Sequence, residues 1–175
     1  IINFNQSSIL LVFDENIQFT ETNEGLITNP EIKDIEVIQE KNYLDIKWED
    51  SLISKTTYSF LFLNSIADIT EFNKIIDFNY IISTGNYLDS GNISGQVVKY
   101  PGKDILENSL VKLVDITNSD FSYRTYSNKN GEFKIDNIKN GEYLMYSFMD
   151  DNDNLLLDTT TEVHGFILDT IFIRD

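Results

Sequence analysis

The residues of this chain best suited to chemistry lie in one stretch, Asp150 to Glu162, which reads Asp-Asp-Asn-Asp-Asn-Leu-Leu-Leu-Asp-Thr-Thr-Thr-Glu. Asp150, Asn152, Asn154, Asp158 and Glu162 offer carboxylate or carboxamide oxygens, the first three at every second position. The chain has one histidine and no cysteine, so nitrogen and sulfur donors are not there to build a transition-metal site. Oxygen donors alone fit a hard cation, and the expectation is calcium in a structural role, with those five residues as ligands. The Leu156 carbonyl stands where a helix–loop–helix calcium loop uses a backbone oxygen. Leu155 takes the place of that loop's sharp-turn glycine, and Thr161 that of its bidentate Glu, with Glu162 one residue later. The other reading of the same residues is a polar turn whose side chains bond their own backbone.

No further constellation points to catalysis. His164 lacks a second imidazole or a thiolate, and no Gly-x-Ser-x-Gly context accompanies it as a base, so it reads as a half-exposed strand residue. Asp14/Glu15 and Glu49/Asp50 are the candidate carboxylate pairs for glycoside hydrolysis. Adjacent residues on a strand point to opposite faces, so neither pair converges. There is no phosphate-cradling Gly-Lys-Ser/Thr loop and no dinucleotide fingerprint. The chain reads as a non-enzyme.

The elements that must position the acidic stretch follow a period of two. Leu44, Ile46 and Trp48 alternate with Asp45, Lys47 and Glu49. Tyr58, Phe60 and Phe62 repeat the pattern, as do Phe78, Tyr80 and Ile82, and Phe133 and Ile135. Ile9 to Phe13 is continuously apolar and predicts a central strand between two layers; only Ile66 to Ile76 could hold a helical turn or two. Asn130-Gly131 and Asn140-Gly141 predict tight turns with positive φ. The run Thr84-Gly85 to Gly91-Asn92 is rich in turn formers and lies between two strand-rich halves. The expectation is all-β, two tandem β-sandwiches spanning 1–89 and 90–175, with one larger sandwich as the alternative. Of the 12 Phe, 9 Tyr and 1 Trp, most alternate as core. Tyr80, Tyr87, Tyr100, Tyr123 and Tyr126 are less clearly inward and could stack on sugars or anchor a protein partner.

Charge narrows the partners. Thirteen Lys and Arg stand against 29 Asp and Glu, a formal net charge of -16. Such a surface repels phosphate backbones and anionic lipid, so nucleic acid is not a partner. No apolar run is long enough to span a bilayer. The chain opens on strand-like sequence without an initiator Met or a signal peptide. It therefore reads as a processed or partial chain, any membrane anchor lying upstream.

Thr125 to Tyr143, with Asn130-Gly131-Glu132-Phe133-Lys134-Ile135 followed by Gly141-Glu142-Tyr143, resembles the carboxypeptidase regulatory-like (transthyretin-like) sandwich. Ile93 to Val97 supplies that family's first strand. Ile9 to Asn16, Leu52 to Phe60 and Ser83-Thr84-Gly85 resemble the bacterial Ig-like domain of the S-layer type. In that resemblance Ser54 replaces the usual Pro, and the family's opening strand is missing before Ile1. The order of the two modules is similar to that of Bacteroidetes surface lipoproteins with Ig-like domains. The resemblance implies a non-catalytic module at the cell surface, tethered to the outer membrane through an upstream lipid anchor. It also implies accessory duty on an outer-membrane protein complex for assembly, secretion or uptake. A glycan- or matrix-binding adhesion module, or an accessory domain of a secreted enzyme, is the alternative.

Overall fold

A computed structural model of the chain describes residues 1–20 and 25–174. It is all-β: the alternating segments form antiparallel strands, and no helix occurs among the described residues. The chain divides into two compact units, Ile1–Leu88 and Asp89–Asp175.

The first unit contains β1 (Ser8–Val12), β2 (Ile17–Phe19), β3 (Ile27–Asn29), β4 (Glu36–Glu40), β5 (Tyr43–Lys47), β6 (Thr57–Phe62), β7 (Ile66–Asp68), β8 (Lys74–Ile75) and β9 (Phe78–Ser83). They form sheets ordered β1-β5-β4, β3-β6-β9 and β2-β7-β8. Leu44 and Ile46 of β5, followed by Trp48, share one core with Tyr58, Phe60 and Phe62 of β6. The Trp48 and Phe60 rings pack with centroids 5.6 Å apart. Ile1–Phe4 run along β9 through backbone bonds such as Asn3 N–H to the Gly85 carbonyl (2.7 Å) and Phe4 N–H to the Ser83 carbonyl (2.8 Å).

The second unit contains β10 (Gly91–Gln96), β11 (Val98–Lys99), β12 (Asp104–Ile105), β13 (Leu110–Asp115), β14 (Ser122–Tyr126), β15 (Glu132–Ile138), β16 (Gly141–Phe148) and β17 (His164–Ile173). A four-stranded sheet ordered β14-β13-β16-β17 is accompanied by the pairs β10-β15 and β11-β12. Val111 and Leu113 of β13, Tyr123 of β14, and Tyr143 and Met145 of β16 meet Phe133, Ile135 and Ile138 of β15 in one core. Between those strands Tyr123 accepts the N–H of Lys139 at 3.0 Å, and the Tyr143 hydroxyl donates to the Lys139 carbonyl at 2.8 Å.

Three local expectations are corrected. The Ile9–Phe13 run is not a central strand: β1 is the edge of its sheet, with Leu10 and Val12 exposed and only Ile9 and Leu11 turned inward. The central strand with both faces covered is β6, where Thr57 and Ser59 are buried along with the aromatics. The Ile66–Ile76 segment is a β7–β8 hairpin. There the Asp68 carboxylate accepts the N–H groups of Thr70, Glu71 and Asn73, which a helix would have used otherwise. Gly131 has the expected positive φ (72°), but neither Asn140 nor Gly141 does. That second dipeptide carries the chain from the β10-β15 pair into the four-stranded sheet, so it closes no hairpin. Glycine keeps that turn uncrowded, since a Cβ on Gly141 would lie 3.1 Å from the Tyr143 ring and hydroxyl.

Candidate functional site

The acidic stretch connects β16 to β17 across the end of the four-stranded sheet. Its first half is a run of side-chain-to-backbone bonds. Asp150 accepts the N–H groups of Asn154 (3.1 Å) and Leu155 (2.8 Å). Asn152 accepts from the same Asn154 N–H at 3.1 Å, and Asn154 accepts from Leu156 at 2.8 Å. Asp150, Asn152 and Asn154 are thereby gathered around one short backbone segment. Leu155 has φ 61°, the left-handed conformation for which the glycine of a calcium loop is used.

The second half forms a separate turn. Asp158 accepts the N–H (2.8 Å) and the hydroxyl (2.6 Å) of Thr160. The Thr160 hydroxyl, followed by backbone N–H groups, holds the Asp158 carboxyl below the usual carboxylate range. Glu162 closes the turn: its N–H donates to the Asp158 carbonyl at 3.0 Å, and its Oε2 accepts the Asp158 N–H at 2.9 Å. Glu162 is only 6% exposed, and its Oε1 is buried with no hydrogen-bond partner. Among the described residues, no three acidic or histidine side chains are grouped so that they could hold a metal. The structure thus brings Asp150, Asn152 and Asn154 together, and Asp158 with Glu162, but does not close both sets into one carboxylate cage.

The remaining candidates are surface features. His164 is exposed at the start of β17, where Nδ1–H donates to the Glu162 carbonyl (2.8 Å) and the ring meets Phe166 edge-on. Asp14, Glu15, Glu49 and Asp50 are all exposed. Of the five singled-out tyrosines, Tyr100 is 92% exposed and Tyr87 46%, while Tyr80 and Tyr126 are half-buried. Tyr123 belongs instead to the core, because its hydroxyl has a backbone partner in Lys139.

A second surface was not anticipated from the residues. β17 is ten residues long and lies at the edge of its sheet. Phe166, Ile167, Leu168 and Phe172 are exposed along it, Leu168 at 95%. A shallow apolar groove beside it is lined by Val114, Leu144, Tyr146, Phe166 and Leu168. A register shift places Ile167 opposite Met145 and Ile171 opposite Tyr143, so that Leu168 lies in the irregular stretch between these two pairs. The signal was present in the β-branched and aromatic run Gly165-Phe-Ile-Leu-Asp-Thr-Ile-Phe-Ile173. Nothing in that run says that one side stays uncovered.

Residues 2–83 match the family model described as bacterial Ig-like domain, and residues 90–159 match the one described as polysaccharide lyase family 4, domain II. The second description differs from the carboxypeptidase regulatory-like resemblance drawn from the Asn-Gly and Gly-x-Tyr segments. No curated protein matches the chain. Among solved structures, the major pilin subunit BcpA of Bacillus cereus is 12% identical, with 95% of this chain and 54% of that chain covered at a TM-score of 0.32. The N-terminal part of the bacterial S-layer protein SbsC is 10% identical, with 96% and 43% covered at a TM-score of 0.34. The chain spans about half the length of those structures or less. Likeness of that degree carries no statement about function.

Proposed function

We propose that this chain is a non-catalytic structural and interaction module that works outside the cytoplasm and docks on a protein partner through the free edge of β17. That strand carries the reading. An uncovered edge presents a row of backbone donors and acceptors that another extended segment satisfies, with side-chain pockets supplying selectivity. The groove beside Tyr146 and Phe166 offers such a pocket. The net charge of -16 disfavours a second copy of this chain as the occupant and favours an extended segment that is neutral or basic.

The bacterial Ig-like match over residues 2–83 supports a scaffold in which stable sheets present edges and end loops. The specific version is a lipid-anchored accessory subunit of an outer-membrane complex for protein assembly, secretion or uptake, and it rests on the module-order resemblance given above. A second reading is favoured by the description of the 90–159 match: an accessory module of a glycan-acting protein, using exposed rings such as Tyr100. Co-purification from native membranes separates the two. Stable recovery of one membrane protein with the chain supports docking, whereas retention on a glycan array without such a partner supports the second reading and counts against the first.

A further inference from the structure

We infer that the Asp150–Glu162 loop is a calcium site whose closing ligand is Glu162. The acidic spacing alone would not carry this; Glu162 does. Its carboxylate is held inside the loop by the Asp158 N–H at 2.9 Å, and the residue is only 6% exposed. Oε1 is shut off from solvent and has no donor. A buried carboxylate oxygen without a partner is unfavourable until a donor, a proton or a cation offsets its lost hydration. Among the described residues no donor reaches Oε1, even though the Asp158 N–H reaches Oε2.

The unused lone pairs on the neighbouring residues select the cation. Asp150 accepts two N–H groups and keeps about two of its four acceptor positions. Asn152 and Asn154 each accept one N–H and keep one lone pair. Calcium takes about six to eight oxygens in flexible geometry and accepts carboxamides, carbonyls and water alongside carboxylates. Magnesium demands a smaller, near-octahedral set and keeps its waters. The donor set therefore fits calcium. Among the described residues no three carboxylates are grouped, so binding at one ion requires the Asp158–Glu162 turn to approach Asp150, Asn152 and Asn154. The loop joins β16 to the docking strand β17, so the ion stiffens the start of that strand at His164.

The test titrates calcium chloride alone into the intact chain by calorimetry, with magnesium chloride at matched ionic strength as the control for screening of the net charge. The expected result is a single calcium-specific site with a dissociation constant of about 1 mM or tighter, and a calcium-dependent rise in melting temperature reversed by chelator. Glu162→Gln and Asp150→Asn are each expected to weaken binding by about tenfold or more. Far-UV circular dichroism in chelator checks folding, and if Glu162→Gln fails that check, Asp150→Asn decides. No calcium heat, equal responses to calcium and magnesium, or unaltered affinity in the folded variant overturns the inference.

Discussion

Replacing Tyr143 by Phe tests how the second core is closed. Tyr143 and Tyr123 are both fully buried, and their rings meet edge-on with centroids 5.9 Å apart. Their hydroxyls engage both backbone polar groups of Lys139, the carbonyl at 2.8 Å and the N–H at 3.0 Å. Tyr143→Phe keeps the ring and removes one donor, a cost of about 1 kcal/mol at neutral pH. Tyr123→Phe removes the acceptor of a backbone N–H, which costs more, about 1–3 kcal/mol. Because both act on one peptide unit, the double variant is expected to be non-additive. Burial pushes the Tyr143 hydroxyl up to about 12, against about 10 in the unfolded chain. Between those values the unfolded chain has lost a proton that the folded chain keeps, so stability falls as pH rises from 10 toward 12 and is unaffected below 10. A gap of that size corresponds to at most about 2–3 kcal/mol. Tyr123 is raised further in the same direction by burial, so Tyr143→Phe should reduce this alkaline loss without abolishing it. Urea unfolding followed by far-UV circular dichroism at about pH 8 and about pH 11 measures both effects. Fluorescence of Trp48, the single tryptophan, reports the first unit as a control. A variant as stable as the parent at the lower pH, or one losing as much stability as the parent at the higher, would refute the reasoning.

Gly131→Ala should destabilise the second unit by about 1–2 kcal/mol or more, since φ is 72° and the new Cβ would lie 2.7 Å from the Val97 carbonyl oxygen; thermal unfolding measures it. Phe60→Ala should cost about 3–5 kcal/mol and shift the emission of the adjacent Trp48 to longer wavelength. The Asp68 carboxyl lies below the usual range because it accepts backbone N–H groups, that of Glu71 foremost. Its contribution is therefore present above the unfolded pKa and fades as pH falls through the folded value. A carboxylate titration by NMR should place Asp68 and Asp158 below the usual carboxylate range.

The fold class was legible because inward and outward residues alternate where one face is wet. Phe133 and Ile135 are buried between exposed Glu132, Lys134 and Asp136, as the period of two requires. Where apolar residues run on, the pattern loses its meaning. Ile9–Phe13 and Gly165–Ile173 are both edge strands, and which side stays uncovered depends on sheet order rather than on residue type. The Asp68 capping that turns 66–76 into a hairpin is a local competition that propensity alone does not resolve. At the acidic loop the ligand-type residues were visible in the sequence, but the burial of Glu162 was not. It depends on the turn back to Asp158, a bond between a side chain and a backbone group four residues away. Tyr123 was misjudged for a similar reason, since its polar partner, Lys139, lies sixteen residues on.

The docking claim is tested most directly by placing charge on the free edge. Leu168 is 95% exposed and Phe172 53%, so Leu168→Lys and Phe172→Lys should each change stability by no more than about 0.5 kcal/mol. Recovery of the chain with any co-purifying membrane protein, measured for both variants and for a control Tyr100→Lys on another exposed surface, gives the answer. The account predicts that the partner is retained by the parent and the Tyr100 control and lost from the two β17 variants. Equal retention by all four chains would contradict it.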